Sequence, residues 1–195
     1  MNYTTSIQHL LYKHLHLKAN SKEQGLWAFF LIFCLSTTIG LALFFEHIGG
    51  YLPCHLCLIE RFPYYSSIPF LILAILGAWF FRISFGVQLL FFCVFILMAT
   101  SLVLGAYHAG IEYGFWPAPS SCTSNTVMLI TDINQLLNRL SHIHPSSCSN
   151  APYRFLWLSF AGWNMVSSFF YMLISFYIAS KGILANHKND NSTPQ

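Results

Sequence analysis

The chain has 195 residues, of which 55% are hydrophobic and 8% charged, and its formal net charge is +3. So few charged side chains cannot give a soluble globular protein a polar surface, which excludes that class and predicts a membrane protein. We expect no nucleic-acid partner.

Four apolar segments predict four membrane-spanning helices, because a span needs about 20 mostly apolar residues. The long apolar block from Phe62 to Tyr107 would be roughly 70 Å long as one helix, which is more than a bilayer can hold, so it must fold back. Its only charged residue, Arg82, marks the turn. The spans are predicted near residues 26–45, 63–81, 85–107 and 155–178.

The fold class predicted from these spans is all-α, a four-helix transmembrane bundle with two extracytoplasmic loops. Residues 1–25 form a cytoplasmic N-terminal segment, residues 26–180 a single membrane domain, and residues 181–195 a cytoplasmic tail. The tail is expected to be disordered from Asn186 onward.

The distribution of lysine and arginine predicts the orientation of the bundle. In a four-span arrangement one side carries most of these residues, and that side should be cytoplasmic. The predicted cytoplasmic side carries Lys13, Lys18, Lys22, Arg82, Lys181 and Lys188. The other side carries Arg61, Arg139 and Arg154.

Two segments outside the spans have apolar residues at helical spacing. The segment from Ile7 to Lys18 suits a helix on the cytoplasmic membrane surface, although a partly disordered tail explains it equally well. The segment from Leu129 to Leu140 has better-formed spacing. It predicts a short amphipathic helix at the outer membrane interface, within the longer loop.

The six cysteines divide into two groups. Cys34 and Cys93 lie within spans, where a thiol usually acts as a small apolar group, so we assign them no chemistry. The other four fall on the extracytoplasmic side, where disulfides persist. They are Cys54, Cys57, Cys122 and Cys148.

The segment YLPCHLCLIER contains a Cys-x-x-Cys motif, Cys54 and Cys57, just before the second span. A thioredoxin-like domain would place this motif in a βαβ unit, which is absent. A zinc site would need a second close pair, and the wide separation of Cys122 from Cys148 weakens that interpretation without excluding it. A redox pair is the third interpretation, since the helix N-terminus and Arg61 would both stabilise a thiolate.

A bridge between Cys122 and Cys148 could simply brace the long loop. Their shared compartment with the Cys-x-x-Cys pair favours a relay of thiol–disulfide exchanges. A relay needs a final electron acceptor, and the absence of flavin, nicotinamide and haem motifs favours a quinone dissolved in the bilayer. Polar residues gather at the outer ends of the first three spans, where such groups are often functional: Glu46, His47, Arg61, His108 and Glu112.

Three segments in order resemble the signatures of the DsbB/DsbI family of bacterial inner-membrane, quinone-dependent thiol oxidases. They are ALFFEHIGGYLPCHLCLIER, YHAGIEYGFWPAPSSC, and Cys148 followed by RFLWLSFAGWN. The resemblance runs from about Trp27 to Tyr177. It implies reoxidation of a periplasmic DsbA-like thioredoxin-fold oxidase, general or dedicated, and transfer of the electrons to ubiquinone or menaquinone.

The resemblance also implies a role for each catalytic cysteine. By matching positions, Cys54 and Cys57 are the pair next to the quinone, and Cys122 and Cys148 are the loop pair. Cys122 would form the mixed disulfide with the partner, Cys148 would exchange with Cys54, and Cys57 would contact the quinone ring.

The predicted cofactor site contains Arg61 and His108, which match the family's basic residues at the quinone, together with Glu46 and His47. Glu46 stands where some family members have glutamine. No resident metal is expected.

Two other classes of function stay open. A vitamin K epoxide reductase-like enzyme also couples Cys-x-x-Cys to a quinone in a four-helix core, but its pair usually lies late in the chain. A metal-binding membrane protein without enzymatic activity would use the four thiols with His142 and His144.

Overall fold

The computed structural model describes residues 3–51, 53–81, 84–119, 148–149 and 154–190. Four α-helices occur within these residues: α1 (Tyr3–His47), α2 (His55–Leu76), α3 (Ser84–Glu112) and α4 (Phe160–Asp190). A π-helix, Gly77–Phe81, follows α2 directly. The predicted helical class is therefore confirmed.

Three helical segments of the described chain are long and apolar enough to cross a membrane: Lys22–His47, His55–Phe80 and Phe85–Glu112. The second begins at His55, earlier than the predicted start near residue 63. Because Glu60 and Arg61 each have an ion-pair partner, these charged residues lie inside the helix instead of ending it.

The predicted fourth span corresponds to α4, which is not among these three segments and begins at Phe160. The residues just before it form an antiparallel hairpin of two short strands, β1 (Arg154–Phe155) and β2 (Leu158–Ser159). An apolar run by itself does not distinguish strand from helix, so the sequence missed this hairpin.

Two bulky residues form the turn of the hairpin. Leu156 and Trp157 have φ angles of 50° and 69°, in the left-handed region that side chains with a Cβ rarely adopt. Trp157 is 92% exposed. The hairpin therefore presents an apolar tip at the start of α4.

Helical structure extends to both ends of the described chain. α1 begins at Tyr3 and includes the segment from Ile7 to Lys18, for which a helix was one of the two interpretations. α4 continues to Asp190, through the start of the tail expected to be disordered. The predicted amphipathic helix at residues 129–140 lies outside the described residues, as does the turn at Arg82.

The chain forms two compact units. The first comprises Met1–Leu35, Ser66–Leu97 and Tyr171–Gln195. Its buried core includes Leu31, Leu71 and Phe91, each fully shielded. Several large side chains of this unit point outward instead, as expected for surfaces that contact lipid; they include Phe29, Phe33, Trp79 and Phe80.

The second unit comprises Ser36–Tyr65 and Met98–Phe170. A polar cluster joins its helical segments around the hydroxyl of Tyr64, on α2. This hydroxyl donates to Asn164 Oδ1 at 2.6 Å and lies 2.8 Å from Ser168 Oγ, both on α4. Ser101 Oγ, on α3, lies 2.8 Å from Ser168 Oγ. Because lipid offers no hydrogen bonds, buried polar groups of a span need partners of this kind.

The close approach of α3 to α4 in the second unit depends on Gly105. A Cβ atom at this position would lie 3.1 Å from Asn164 Nδ2 and 3.3 Å from the backbone nitrogen of Met165. Small residues at such crossings let two membrane helices pack closely. Gly105 therefore helps to bring Asn164 into the interior of this unit.

Candidate active site

Cys54 caps the N-terminus of α2. Its carbonyl oxygen accepts a hydrogen bond from the backbone of Leu58 at 3.2 Å, and its sulfur accepts one from the backbone N–H of Cys57 at 3.4 Å. The two sulfur atoms lie 3.1 Å apart and are not bonded, so the pair is a dithiol. The positive end of the helix dipole favours a negative charge on the capping sulfur.

A chain of polar side chains connects Cys54 to the interior of the second unit. Nε2 of His108 lies 3.7 Å from Cys54 Sγ, and Nδ1 of the same ring lies 2.8 Å from Glu60 Oε1. Asn164 Nδ2 donates to Glu60 Oε2 at 2.9 Å. Nδ1 of the His108 ring therefore faces Glu60, and Nε2 faces the sulfur.

The surroundings of Cys54 favour its thiolate. The hydrogen bond from the Cys57 thiol is the largest cause that lowers its pKa; burial opposes this, and His108 and the Cys57 backbone lower it further. The net result is a pKa of about 4, against 9.0 for an ordinary thiol. The prediction of a thiolate at this helix terminus is thus supported, with Cys54 as the ionised member of the pair.

Cys148 packs beside this pair. It is disulfide-bonded, is 1% exposed, and belongs to one buried cluster with Cys54, Leu56 and Ile111. Cys57 packs against the same cluster. The second unit therefore holds a disulfide sulfur and a dithiol in a single hydrophobic cluster.

Arg61 has a different partner from the one that its spacing indicated. We expected its guanidinium, four residues beyond Cys57, to lower the pKa of a thiol of the pair. Instead its Nη1 atom lies 2.6 Å from Glu46 Oε2, and both side chains are largely buried. The groups that lower the pKa of Cys54 are Cys57 and His108.

A cavity of about 560 Å³ opens beside the dithiol. Cys54, Cys57 and His108 line one part of its wall, and the Arg61–Glu46 ion pair lines another. Aromatic and aliphatic side chains supply much of the remaining surface, among them Leu41, Phe45, Phe160 and Trp163. This combination of apolar wall and few polar groups is typical of a small-molecule site.

The cavity brings together most of the residues that the sequence predicted for the site. Two described residues do not line the cavity: His47 is exposed at the end of α1, and Cys148 lies in the buried cluster beside Cys54. Cys122 lies outside the described residues, so its pairing with Cys148 stays a prediction. Cys34 and Cys93 belong to the first unit, have intermediate exposure and carry no disulfide bond.

Sequence reasoning missed Glu60, Tyr64 and Asn164. A signal existed for Glu60, because it is a charged residue one helical turn after Cys57 and in line with an apolar span. Tyr64 and Asn164 are less distinctive, since an isolated polar residue in a span has many possible partners. Their role depends on contacts between residues about a hundred positions apart.

A helical membrane protein that holds a reactive dithiol beside a disulfide-bonded cysteine has the features of a membrane thiol–disulfide oxidoreductase. The sequence matches the family described as Disulfide bond formation protein DsbB over residues 23–178. The match covers more than half of the chain, and the chain belongs to this family. The predicted family is thereby confirmed. Comparison with curated proteins and with solved structures finds no match.

Proposed function

We propose that this protein reoxidises a periplasmic DsbA-like thioredoxin-fold oxidase by disulfide exchange and passes the electrons to a membrane quinone. One observation carries the proposal: Cys54 Sγ lies between Cys57 and His108 at a cavity wall, in the same buried cluster as disulfide-bonded Cys148. A thiolate beside a disulfide is the arrangement that exchange requires.

The cavity has the properties that a quinone headgroup requires. A quinone ring is flat and apolar, with two carbonyl oxygens that accept hydrogen bonds. Phe45 and Trp163 offer aromatic surface, and the guanidinium of Arg61 offers N–H donors. The volume of about 560 Å³ lies within the usual range for ligand sites. When bound, ubiquinone or menaquinone supplies the two-electron acceptor that returns the dithiol to a disulfide.

The exchange steps balance in atoms and electrons. A partner thiolate attacks Cys122 Sγ, the Cys122–Cys148 bond breaks, and Cys148 leaves as a thiolate. The partner's second thiolate then releases the oxidised partner, so that two electrons have moved to the loop pair. The Cys148 thiolate next attacks Cys54 of an oxidised Cys54–Cys57 pair. Cys122 resolves that mixed disulfide, which restores the loop disulfide and leaves the dithiol seen in the structure.

His108 acts as the proton carrier beside Cys54. Its Nε2 atom faces the sulfur at 3.7 Å and can take up or return the proton of the thiol. Glu60 fixes the ring through Nδ1, and Asn164 fixes Glu60. This arrangement corresponds to a nucleophile, a base and a group that orients the base.

We also propose that the chain lies in the bacterial inner membrane with both termini cytoplasmic and the four reactive cysteines periplasmic. The excess of lysine on one side of the spans supports this orientation. A periplasmic location also suits the chemistry, because that compartment is oxidising.

The function can be tested with purified protein, a reduced DsbA-like oxidase and a soluble quinone analogue. We expect the quinone absorbance to fall at a rate that depends on the concentration of the partner. A Cys57→Ser variant and a protein-free mixture serve as controls. If the native protein consumes quinone no faster than the protein-free mixture, the proposal is wrong.

A further inference from the structure

We propose that the dithiol form of this site binds one zinc ion through Cys54, Cys57 and His108, and that bound zinc holds the protein in its reduced state. The inference goes beyond the proposed oxidase function, because it depends only on the dithiol and on the side chains around it.

The three candidate ligand atoms already converge. The two sulfur atoms and a ring nitrogen of His108 all lie within 4.8 Å of one another. In a tetrahedral zinc site, with Zn–S near 2.3 Å and Zn–N near 2.0 Å, ligand atoms lie about 3.5–3.8 Å apart. The 3.7 Å from Cys54 Sγ to His108 Nε2 already matches this spacing. The 3.1 Å between the sulfurs needs to widen by less than about 1 Å.

The hydrogen bonds around His108 are of the kind that zinc-binding histidines make. A metal-ligating histidine usually donates its other N–H to a carboxylate, which orients the ring and fixes the tautomer. Glu60 accepts from His108 Nδ1 at 2.8 Å, and Asn164 donates to the other oxygen of Glu60 at 2.9 Å. With Nδ1 directed at Glu60, Nε2 is the ring atom that faces the Cys54 sulfur and is placed to bind a metal ion in the neutral ring.

Charge and access both suit a divalent cation. Two thiolates neutralise Zn²⁺, so binding displaces the remaining thiol proton to solvent and changes no oxidation state. The three ligand residues line the cavity, which offers a route of entry and space for a water molecule as the fourth ligand. The nearby cation, Arg61, is paired with Glu46, which reduces its repulsion of the metal.

Zinc binding would depend on the redox state of the site. A disulfide between Cys54 and Cys57 removes both thiolates, so only the dithiol can hold the ion. Bound zinc is coordinated by the Cys54 sulfur and fills the part of the cavity next to it. Zinc would therefore stop both disulfide exchange and electron transfer until a chelator removes it.

The test uses Co²⁺ as a spectroscopic probe and needs neither partner nor quinone, so its outcome is independent of the oxidase function. Purified full-length protein that carries Cys122→Ser and Cys148→Ser leaves only one extracytoplasmic thiol pair. We expect the reduced form to take up one Co²⁺ with thiolate charge-transfer absorption, which Zn²⁺ displaces. The same protein oxidised with diamide should take up none.

Further substitutions in that background assign the ligands. Cys57→Ser should abolish the charge-transfer band. His108→Gln and Glu60→Gln should weaken Co²⁺ binding by about 10-fold or more, while Cys34→Ser and Cys93→Ser should leave it unchanged. Circular dichroism and gel filtration check that each variant folds.

Three outcomes would overturn the inference: equal uptake by the oxidised protein, full-affinity binding by a folded His108→Gln variant, or loss of uptake in the Cys34→Ser or Cys93→Ser variant. Oxidation of the partner with quinone consumption can still occur in each case, so failure here is distinguishable from failure of the oxidase proposal.

Discussion

Cys54 and His108 are 54 positions apart in the sequence, yet the sulfur of one lies 3.7 Å from Nε2 of the other. This contact joins the N-terminus of α2 to the C-terminal part of α3. It gives the reactive sulfur a neighbouring base that its own helix does not supply.

The reactivity of Cys54 should depend on pH in a specific way. Because its pKa is about 4, alkylation of the reduced protein at Cys54 should be nearly independent of pH well above 4 and should slow below it. In a His108→Gln variant the pKa should rise and the profile should shift to higher pH. An identical profile in that variant would contradict a role for His108.

The same pKa shift predicts how stability depends on pH. A lowered pKa stabilises the folded dithiol fully above the ordinary thiol value of 9.0, and this contribution declines as the pH falls and is lost below about 4. The difference in unfolding temperature between reduced and diamide-oxidised protein should therefore change in favour of the oxidised form on acidification. Thermal unfolding of both forms in detergent measures this difference in unfolding temperature. A difference that does not change with pH would argue against a thiolate at Cys54.

Glu60 should affect turnover through His108. Glu60→Gln keeps the size of the side chain but removes the charge that orients the ring, so quinone-coupled turnover should fall by about 10-fold or more. The alkylation profile of Cys54 should shift toward higher pH in the same variant, which a purely structural defect would not cause. Glu23→Gln is the matched control, since Glu23 forms an exposed ion pair with Lys181.

Arg61 should act on the quinone and leave the loop disulfide unaffected. Arg61→Ala should raise the KM for quinone and slow turnover, with the Cys122–Cys148 bridge intact on non-reducing gels. Glu46→Gln should change KM less, because it frees the guanidinium without removing it. Lys181→Ala is a control in the first unit. Unchanged quinone dependence in Arg61→Ala would remove Arg61 from the site.

The order of the relay predicts different trapped states for different cysteines. With Cys148→Ser, Cys122 has no disulfide bond for a reduced partner to attack, so partner oxidation should stop. When oxidised partner is supplied, the Cys122 thiolate attacks the partner's disulfide, and the mixed disulfide should accumulate because the loop has no second thiol to displace it. With Cys57→Ser, quinone reduction should stop. Non-reducing gels and quinone absorbance measure the two effects. Full partner oxidation by Cys148→Ser without an adduct would indicate that the loop disulfide only braces the loop.

The proposed orientation can be tested by labelling. Membrane-impermeant thiol reagents applied outside spheroplasts should label Cys122 and Cys148 after reduction, with slower labelling of Cys148 because it is 1% exposed. Cys34 and Cys93 should stay unlabelled. Labelling of Cys122 and Cys148 only after the membrane is broken would reverse the orientation.

Hydropathy and spacing predicted the helical class and the three long spans, because apolar length is a local property of the sequence. The Cys-x-x-Cys motif at a helix terminus was visible for the same reason. The partner of Arg61 could not be predicted in this way, because a position four residues after Cys57 is equally compatible with a contact to the thiol pair and with a contact to Glu46. The choice depends on how α1 lies against α2, which local spacing does not contain.

Glu60 and Asn164 show a second reason why the site was only partly predictable. Each is a polar residue in a largely apolar helix, and its role depends on a contact with another helix. The predicted start of α4 was wrong for a different reason. The residues before Phe160 are apolar enough for a span, but they form a hairpin.

The hydroxyl of Tyr64 also sets the vertical alignment of the helices in the second unit. Sliding α4 by one residue would shift Asn164 by about 1.5 Å and turn it by about 100°, which would break its contacts with both Tyr64 and Glu60. Each polar group that lost its hydrogen-bond partner would then face hydrocarbon, at a cost of several kcal/mol. The contacts of Tyr64 and Asn164 therefore favour one register of α4 independently of the cysteines, because a shifted helix would leave these amide and hydroxyl groups facing lipid.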